Sequence, residues 1–333
     1  MKILYLTNQK PLSEQYNDGI SDLLLHGLRG HFNDSVIDFP GSWYLYDDES
    51  KKRNLDENKL WGKGFTLRNI LNNYDSIDRS DIEKKIQKKY FDLIIYSSAR
   101  RSDTYIDDVI KYNNKVIFID SSDDQFIDEN LSKIGPYFKR ELIKKQKNLF
   151  PIHFAVPENR IINEINNEPK HLLAPLIPGR YDTYIYENET DYYKMYQNSI
   201  FALTYKKAGW DCLRHYEILM NGCLPIFLDL ENCPNNTMIN FPKEEVIMIK
   251  KRYENILKNY FPTKIFKRKF LNFKRFTDYL FNFFSNKKDI KDYIVNEKDI
   301  FELRSNLLNY TKQNLTTYKL ANYLIDSIKK IRL

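Results

Sequence analysis

The sequence predicts an α/β fold made of two domains that face each other across a cleft, with a helical extension at the C-terminal end. Short apolar runs alternate with helical patterns over most of the 333 residues. These runs are apolar on both faces, which is typical of parallel strands covered by helices on both sides. The alternation starts again near residue 150, and a chain of this length exceeds one ordinary core.

The first predicted domain covers residues 1–150. Its predicted strands are residues 2–7, 35–39, 91–98 and 115–122, and its predicted helices are residues 19–30, 82–90 and 104–113. Residues 41–77 form a longer and less regular connection, so we expect an insertion or loop there. A further helix is expected to begin at Tyr137. The strand–helix alternation predicts that this half is Rossmann-like.

The second predicted domain covers residues 151–260 and follows a proline-rich boundary. Its candidate strands are residues 150–156, 171–177, 199–205 and 223–229, and its candidate helices are residues 191–199 and 211–222. This half is also predicted to be Rossmann-like, and such sheets bind ligands at the carboxyl ends of their strands. Residues 261–333 are predicted to form a helical extension that is basic and aromatic.

The composition is that of a globular protein with an excess of positive charge. A formal net charge of +7 suits an anionic ligand or surface. The cysteines are Cys212, Cys223 and Cys233, and their spacing fits no common zinc pattern, so we expect reduced, buried thiols. The first apolar run is too short for a signal peptide, and no run reaches the roughly 18 apolar residues of a membrane span. We therefore expect a soluble cytoplasmic protein, attached at most to a membrane surface.

The most informative part of the second half is a basic loop that leads from a strand into a helix. Lys206 and Lys207 lie in the loop, and the helix is predicted to begin at Asp211. A helix N-terminus with nearby cations suits a phosphate. Arg214 and Glu217 share one face of this helix. They could supply a cation for a diphosphate and a carboxylate for ribose hydroxyls, or they could form a solvated surface pair.

A family resemblance lies in the same helix and the strand after it. The run Arg214-His-Tyr-Glu217-Ile-Leu-Met-Asn-Gly222-Cys-Leu-Pro225 resembles the stretch Arg-x-x-Glu-Ala-Leu-x-x-Gly-Cys-x-Pro of exostosin-type and related GT-B glycosyltransferases. The overlapping block KKAGWDCLRHYEIL is similar to glycosyltransferases of bacterial polysaccharide loci. GT-B enzymes have two Rossmann-like domains that face a cleft, so the resemblance implies the fold that the strand pattern predicts.

The resemblance also implies a nucleotide-sugar donor site in the second half. The implied donor-binding residues are Lys206, Lys207, Trp210, Arg214, Glu217 and Gly222. Glu217 would hold the donor ribose, while Arg214 and one of the lysines would contact the diphosphate. Gly222 would let the helix end tightly. The chain lacks the second glutamate that retaining enzymes have seven or eight residues upstream, so inversion and retention both stay open.

The first half, residues 1–150, is expected to bind the acceptor, and the candidate catalytic base lies there. Asp18 precedes the first helix, a position where GT-B enzymes commonly present catalytic groups. An ordinary helix cap is an equally good interpretation of Asp18, because aspartate is a preferred N-cap residue. His26 lies further along the same helix and is expected to pack locally.

Polar residues also follow two later strands of the first half. Arg100 and Arg101 follow the third predicted strand and are candidates to hold an anionic acceptor group. Asp123 and Asp124 follow the fourth and are candidates to bind acceptor hydroxyls. Alternatively, these carboxylates hold a divalent metal on the donor diphosphate. Because side chains and a helix end can neutralise a diphosphate, we expect no metal and no other cofactor.

The extension contains one segment with a composition of its own. Residues 264–288 interleave basic and aromatic side chains. The first interpretation is that the aromatic stripe packs against the second domain. The alternatives are docking on an anionic membrane surface, where lipid-linked acceptors reside, and binding of single-stranded nucleic acid.

Together these patterns predict a metal-independent glycosyltransferase that moves a sugar from a nucleotide-sugar donor to a cell-surface glycan or a lipid-linked acceptor. Two alternatives stay open. The positive charge would also suit a DNA-modifying glycosyltransferase, although nucleic acid is not an expected partner. A non-catalytic nucleotide-binding scaffold could have the same fold, because fold does not determine function.

Overall fold

The computed structural model describes residues 1–7, 18–166, 168–260 and 297–331. These residues form an α/β protein with two parallel sheets, one of six strands and one of three. The prediction of an α/β fold with a parallel sheet in each half is confirmed.

The first sheet has six strands, and its inner strands are buried on both faces. Its strands are β1 (Ile3–Leu6), β2 (Val36–Phe39), β3 (Leu93–Tyr96), β4 (Val116–Asp120), β5 (Tyr137–Lys139) and β6 (Leu149–Pro151), in the order β2-β1-β3-β4-β5-β6. The helices of this half are α1 (Gly19–Phe32), α2 (Asp47–Lys52), α3 (Ile82–Gln87), α4 (Ile106–Lys111) and α5 (Glu129–Ile134). Because helices cover both faces, β1 and β3 are apolar at consecutive positions and fully buried.

Two of the six strands differ from the sequence prediction. Tyr137 begins β5 rather than a helix, so that prediction is wrong. The strand ends at Lys139, which is fully buried. The Asp120 carboxylate, 2.9 Å from the Lys139 ammonium, compensates the buried charge. An ion pair thus replaces an apolar side chain and hides the strand from the hydrophobic pattern. The run at 150–156 predicts a strand of the second half, but its beginning pairs with β5 as β6 of the first sheet.

The second sheet is small and centred on one buried strand. Its strands are β7 (His171–Leu173), β8 (Ser199–Thr204) and β9 (Leu224–Phe227), in the order β7-β8-β9, and its helices are α6 (Glu189–Gln197), α7 (Leu213–Met220) and α8 (Lys243–Tyr260). All residues of β8 are buried. The predicted strands at 171–177, 199–205 and 223–229 are confirmed, each somewhat shorter than predicted.

The described part of the extension forms two helices, α9 (Glu297–Asn314) and α10 (Thr317–Ile331). Helix α9 packs on α7 of the second half, and α10 packs on α1 of the first half. The approach to α1 is close, because a Cβ atom on Gly27 would lie 2.0 Å from the carbonyl oxygen of Thr317. The extension therefore contacts both halves of the molecule.

The basic and aromatic segment 264–288 lies outside the described residues. Its packing, membrane and nucleic-acid interpretations therefore stay predictions. Among the residues that are described, no helix is both long and apolar enough to cross a membrane.

Candidate anion-binding site

The carboxyl ends of the two sheets meet at the loops that follow β5 and β8. The buried carboxylate of Glu141, just after β5, accepts hydrogen bonds from the backbone N–H groups of Trp210 and Asp211, both at 3.0 Å. A Cβ atom on Gly209 would lie 2.6 Å from Oε1 of Glu141, so only glycine fits this contact. These contacts hold the loop after β8 against the first half of the molecule.

The helix that follows this loop begins two residues later than the sequence predicts. Helix α7 begins at Leu213 with Cys212 as the N-cap residue, not at Asp211. The Asp211 carboxylate accepts a hydrogen bond from the backbone N–H of Phe154 at 2.9 Å, and burial raises the pKa of Asp211 to about 7. The N–H groups of residues 210 and 211 are already bonded to Glu141. They are thus not available to a phosphate, and the cations beside them remain the candidate anion ligands.

Arg214 is the cation with the clearest need for an anion. Its guanidinium is mostly buried, and its Nε atom has no hydrogen-bond partner. The nearest aromatic face is that of Tyr184, whose ring centre lies 5.3 Å from the guanidinium carbon. No carboxylate pairs with Arg214 within the described chain. A buried, uncompensated charge is strongly destabilising, so this position favours a bound anion.

The two lysines after β8 precede Arg214 in the chain, and in the part that the structure describes their ammonium groups form no ion pair. The backbone N–H of Lys206 donates to the Asp229 carboxylate at 3.2 Å. Lys206 is partly buried, and its ammonium lies 5.0 Å from the centre of the Trp210 ring. Lys207 is exposed. Trp210 itself is buried and packs toward Phe227. Its ring therefore stabilises the loop and does not offer an exposed face to a ligand.

His215 is a buried residue that the sequence analysis did not single out, and it stabilises the loop after β8 through two hydrogen bonds. His215 donates from Nε2 to the carbonyl oxygen of Trp210 at 3.0 Å and accepts at Nδ1 from the Thr204 hydroxyl at 2.8 Å. The carbonyl can only accept, which sets the tautomer. Burial lowers the pKa of His215 to about 3, so the ring stays neutral beside Arg214. The loop after β8 is therefore held in one conformation.

Glu217, the predicted ribose ligand, is almost completely buried. Its Oε1 atom accepts a hydrogen bond from the Thr66 hydroxyl and its Oε2 atom from the Tyr192 hydroxyl, each at 2.6 Å. Burial raises the pKa of Glu217 above its usual value. The alternative of a solvated surface pair with Arg214 is wrong, because the Glu217 side chain is buried and forms no ion pair there. Both carboxylate oxygens instead face hydroxyl donors.

Gly222 has a conformational role at the end of α7. Its φ angle is +65°, a left-handed conformation that favours glycine. A Cβ atom there would lie 3.1 Å from side-chain atoms of Ile162 and Ile165. The carbonyl oxygen of Gly222 accepts a hydrogen bond of 2.6 Å from Nε of Arg304 on α9. The residue therefore ends the helix tightly, as the resemblance implies.

In the first half, Asp18 serves as the N-cap of α1. Its carboxylate accepts hydrogen bonds from the backbone N–H of Ser21 at 3.2 Å, from the Ser98 hydroxyl at 2.9 Å and from the Ser121 hydroxyl. The helix-cap interpretation of Asp18 is therefore confirmed. One turn further, Asp22 is buried with an unpartnered Oδ2 atom, and burial raises its pKa well above the usual value.

His26 packs locally, as expected. Its Nδ1 atom lies 2.7 Å from the Thr317 hydroxyl oxygen at the start of α10. Burial lowers the pKa of His26. The residue thus joins α1 to the extension rather than to the cleft.

Most of the charges predicted to bind the acceptor neutralise one another. Arg100 forms ion pairs of 3.1 Å with Asp120 and 2.8 Å with Asp124. Lys139 pairs with the same two carboxylates, at 2.9 and 3.5 Å. Burial acts to raise the pKa of Asp120, but the Lys139 charge and other donors hold it below its usual value. Arg100 and Asp124 are therefore parts of one ionic network at the carboxyl edge of the first sheet.

Asp123 belongs to the same edge and contacts the cation of Arg140. Arg101, in contrast, is exposed and has no partner among the described residues. Within those residues, no group of three or more His, Cys, Asp or Glu side chains could hold a metal ion. The three cysteines are free thiols, but only Cys223 is buried as expected, whereas Cys212 and Cys233 are partly exposed.

The chain matches no protein-family model, and no curated protein sequence matches it. The resemblance to GT-B glycosyltransferases therefore rests on the short motif from Arg214 to Pro225. Sequence reasoning missed Glu141 and Thr66, which reach the motif from the other half of the chain. No local signal marks either residue, because their contacts arise only when the two halves pack.

Proposed function

We propose that the chain is a GT-B-type glycosyltransferase, which binds a nucleotide-sugar donor at the carboxyl edge of its second sheet. The sugar is transferred to a cell-surface glycan or a lipid-linked acceptor. The observation that carries the proposal is the mostly buried Arg214 guanidinium, which lacks a carboxylate partner in the described chain. Such a charge is stabilised by a permanent or transient anion, and the donor diphosphate supplies one.

The neighbouring lysines support a role in catalysis as well as in binding. In the reaction, an acceptor hydroxyl attacks the anomeric carbon of the donor sugar, and the bond from that carbon to the diphosphate oxygen breaks. Negative charge develops on the leaving diphosphate, and preorganised cations stabilise it. Lys206 and Lys207 extend the charge of Arg214 along the same edge. Three side-chain cations make the reaction independent of metal ions.

The arrangement of the two halves gives the proposal its second support. The loops after β5 and β8 contact each other through Glu141, so the carboxyl ends of both sheets border one region. Open parallel sheets bind ligands at that edge. Arg101 on the first half is the remaining exposed cation that suits an anionic acceptor group. We place the activity in the cytoplasm, at the inner face of the membrane where the acceptor is lipid-linked.

A non-catalytic nucleotide-binding protein is the second candidate, and the surroundings of Asp18 favour it. Three donors already occupy the carboxylate that would act as base. A base has to lie within hydrogen-bond reach of the proton that it accepts, and an occupied carboxylate is poorly placed for this.

Turnover of radiolabelled nucleotide-sugars separates the two candidates. We expect transfer of label to a glycan or lipid-linked acceptor, undiminished by EDTA. Tight nucleotide binding without transfer or donor hydrolysis would favour the non-catalytic protein. Loss of activity in EDTA, restored by magnesium or manganese, would instead favour a metal role for Asp123 and Asp124.

A further inference from the structure

A segment of the first half reaches across to the predicted ribose ligand of the second. Thr66 lies in the irregular connection after β2 and is fully buried. Its hydroxyl donates to Oε1 of Glu217 at 2.6 Å and lies 2.6 Å from the hydroxyl oxygen of Tyr193. Tyr192 donates to the other oxygen of Glu217 at 2.6 Å. The carboxylate therefore receives one hydroxyl hydrogen bond on each oxygen.

Helix α6 fastens this segment in place. The backbone N–H of Thr66 donates to the Glu189 carboxylate, and Lys63 forms an ion pair with Glu187. Arg160 bridges the two sides, since it donates to Glu189 at 2.7 Å and to the carbonyl oxygen of Arg68 at 3.2 Å. Leu67 is buried in the apolar core and anchors the C-terminal end of the segment. Before it, the contacts with the second half are polar apart from Phe65, whose ring packs on Tyr192.

The backbone of the segment is under strain. Thr66 has a φ angle of +71°, and Lys63 has an angle of +56°. A β-branched residue such as threonine is rarely found in the left-handed region. The conformation is therefore held by its contacts rather than by local preference, and strained positions of this kind cluster at sites that switch.

We propose that residues 61–66 are a strap that closes the donor site and lifts when the donor binds. This rests on the proposed function of Glu217 as the ribose ligand. Two hydroxyl donors, one on each oxygen of a carboxylate, reproduce the hydrogen bonds that a vicinal ribose diol would make. The Thr66 hydroxyl thus holds the place of one ribose hydroxyl. The ligand class is a ribonucleotide. Its apparent affinity equals the affinity of the open form multiplied by the fraction of molecules in which the strap is open.

The first experiment compares nucleoside-diphosphate affinities of the wild type and of Thr66→Val by calorimetry, with a panel of UDP, GDP, ADP and CDP. Valine keeps the shape but removes the hydrogen bonds, so we expect roughly three- to tenfold tighter binding. Thr66→Ser retains the hydroxyl and should bind like the wild type. Thr237→Val is the matched control, because the buried Thr237 hydroxyl also joins the two halves, through the carbonyl oxygen of Leu142.

A second experiment uses the wild-type chain alone. Amide hydrogen exchange of residues 61–66 should become faster when the nucleoside diphosphate binds, since the Thr66 N–H leaves Glu189. Slower or unchanged exchange in the bound state would overturn the strap, as would equal affinities of the wild type and Thr66→Val. In both cases the donor site itself would stand. If no nucleoside diphosphate binds any of these proteins, the proposed function fails together with the strap.

Discussion

The carboxyl edges of the two sheets carry the same kinds of cation in very different surroundings. At the edge of the first sheet, Arg100 and Lys139 are paired with Asp120 and Asp124. At the edge of the second, no carboxylate in the described chain pairs with Arg214. The first set is neutralised internally and stabilises the fold, whereas the second leaves charge for a ligand. Position after a strand therefore does not identify a binding cation, and our proposal for Arg214 rests on its lack of a local ion-pair partner.

Nearby acids form no ion pair with the cations of the second edge, although Glu217 attracts the Arg214 charge at longer range. Asp211 accepts from the backbone N–H of Phe154, and Glu217 accepts from two hydroxyls. Burial raises the pKa of both carboxyl groups. The cations of this edge are thus left without a direct ion pair in the described part of the chain.

The largest expected effect tests the neutralised edge. Replacing Lys139 by methionine leaves the Asp120 carboxylate buried beside fewer donors. Leaving a buried charge unpaired costs about 3–5 kcal/mol. Because Arg100 and Tyr137 still contact Asp120, we expect a loss toward the lower end, about 3 kcal/mol, in denaturant unfolding. Nucleoside-diphosphate affinity should stay unchanged at a temperature where the variant is folded. A variant as stable as the wild type would show that this edge is not a structural network.

The point where the two edges meet should give the chain a characteristic pH dependence. Asp211 has its pKa raised from 3.8 to about 7, so the folded state holds a proton there that the unfolded chain releases. The free energy of unfolding should therefore fall as pH rises from about 4 to 7, by up to ~1.4 kcal/mol per pH unit from this group. Asp211→Asn retains an acceptor for Phe154 and should remove this contribution. Urea unfolding of both proteins across that range measures the difference, and parallel pH profiles would contradict it.

Removing a cation from the edge of the second sheet should have the opposite pattern of effects, with stability preserved and ligand affinity lost. Arg214→Ala removes a cation without an internal partner, so stability should change little or rise. Charge-assisted hydrogen bonds contribute roughly 1.5–3 kcal/mol, which predicts about 10- to 150-fold weaker binding of nucleoside diphosphates. Calorimetry with the free nucleoside serves as control, because its affinity should be nearly unaffected. An unfolded Arg214→Ala chain would mean that this arginine also belongs to the structural set.

The smallest effect concerns the ribose ligand. Glu217→Gln keeps the shape of the side chain and removes the charge-assisted part of its hydrogen bonds. We expect roughly tenfold weaker nucleoside-diphosphate binding, equivalent to about 1.4 kcal/mol. A 2′-deoxyribose ligand should lose less affinity through the same substitution. Equal losses for both ligands would place the ribose away from this carboxylate.

Apolar periodicity predicted those parts of the fold in which burial alone decides the structure. The runs at β1, β3, β4 and β8 are buried throughout, and all were found as strands. It failed at β5, where Lys139 is buried by ion pairing, and at β6, whose sheet is decided by its partner strand. Both failures arise from tertiary contacts that leave no period in the sequence.

The candidate site was predictable in the same limited way. The motif placed Arg214 and the lysines on one strand–loop–helix unit, because residues close in sequence stay close in the fold. It could not predict that Glu141 occupies the N–H groups before the helix, or that Thr66 covers Glu217. Those residues lie far away in the sequence, and only the packing of the two halves brings them to the site.

The most direct test of the unneutralised edge is calorimetric titration of the wild-type chain with a nucleoside diphosphate and with the matching nucleoside. If Arg214 and the lysines bind the diphosphate, the diphosphate should bind at least about tenfold more tightly than the nucleoside. The difference should shrink as salt rises, since exposed charges such as Lys207 are screened. Equal affinities of the two ligands, or no binding of either, would contradict the assignment of this edge as a diphosphate site.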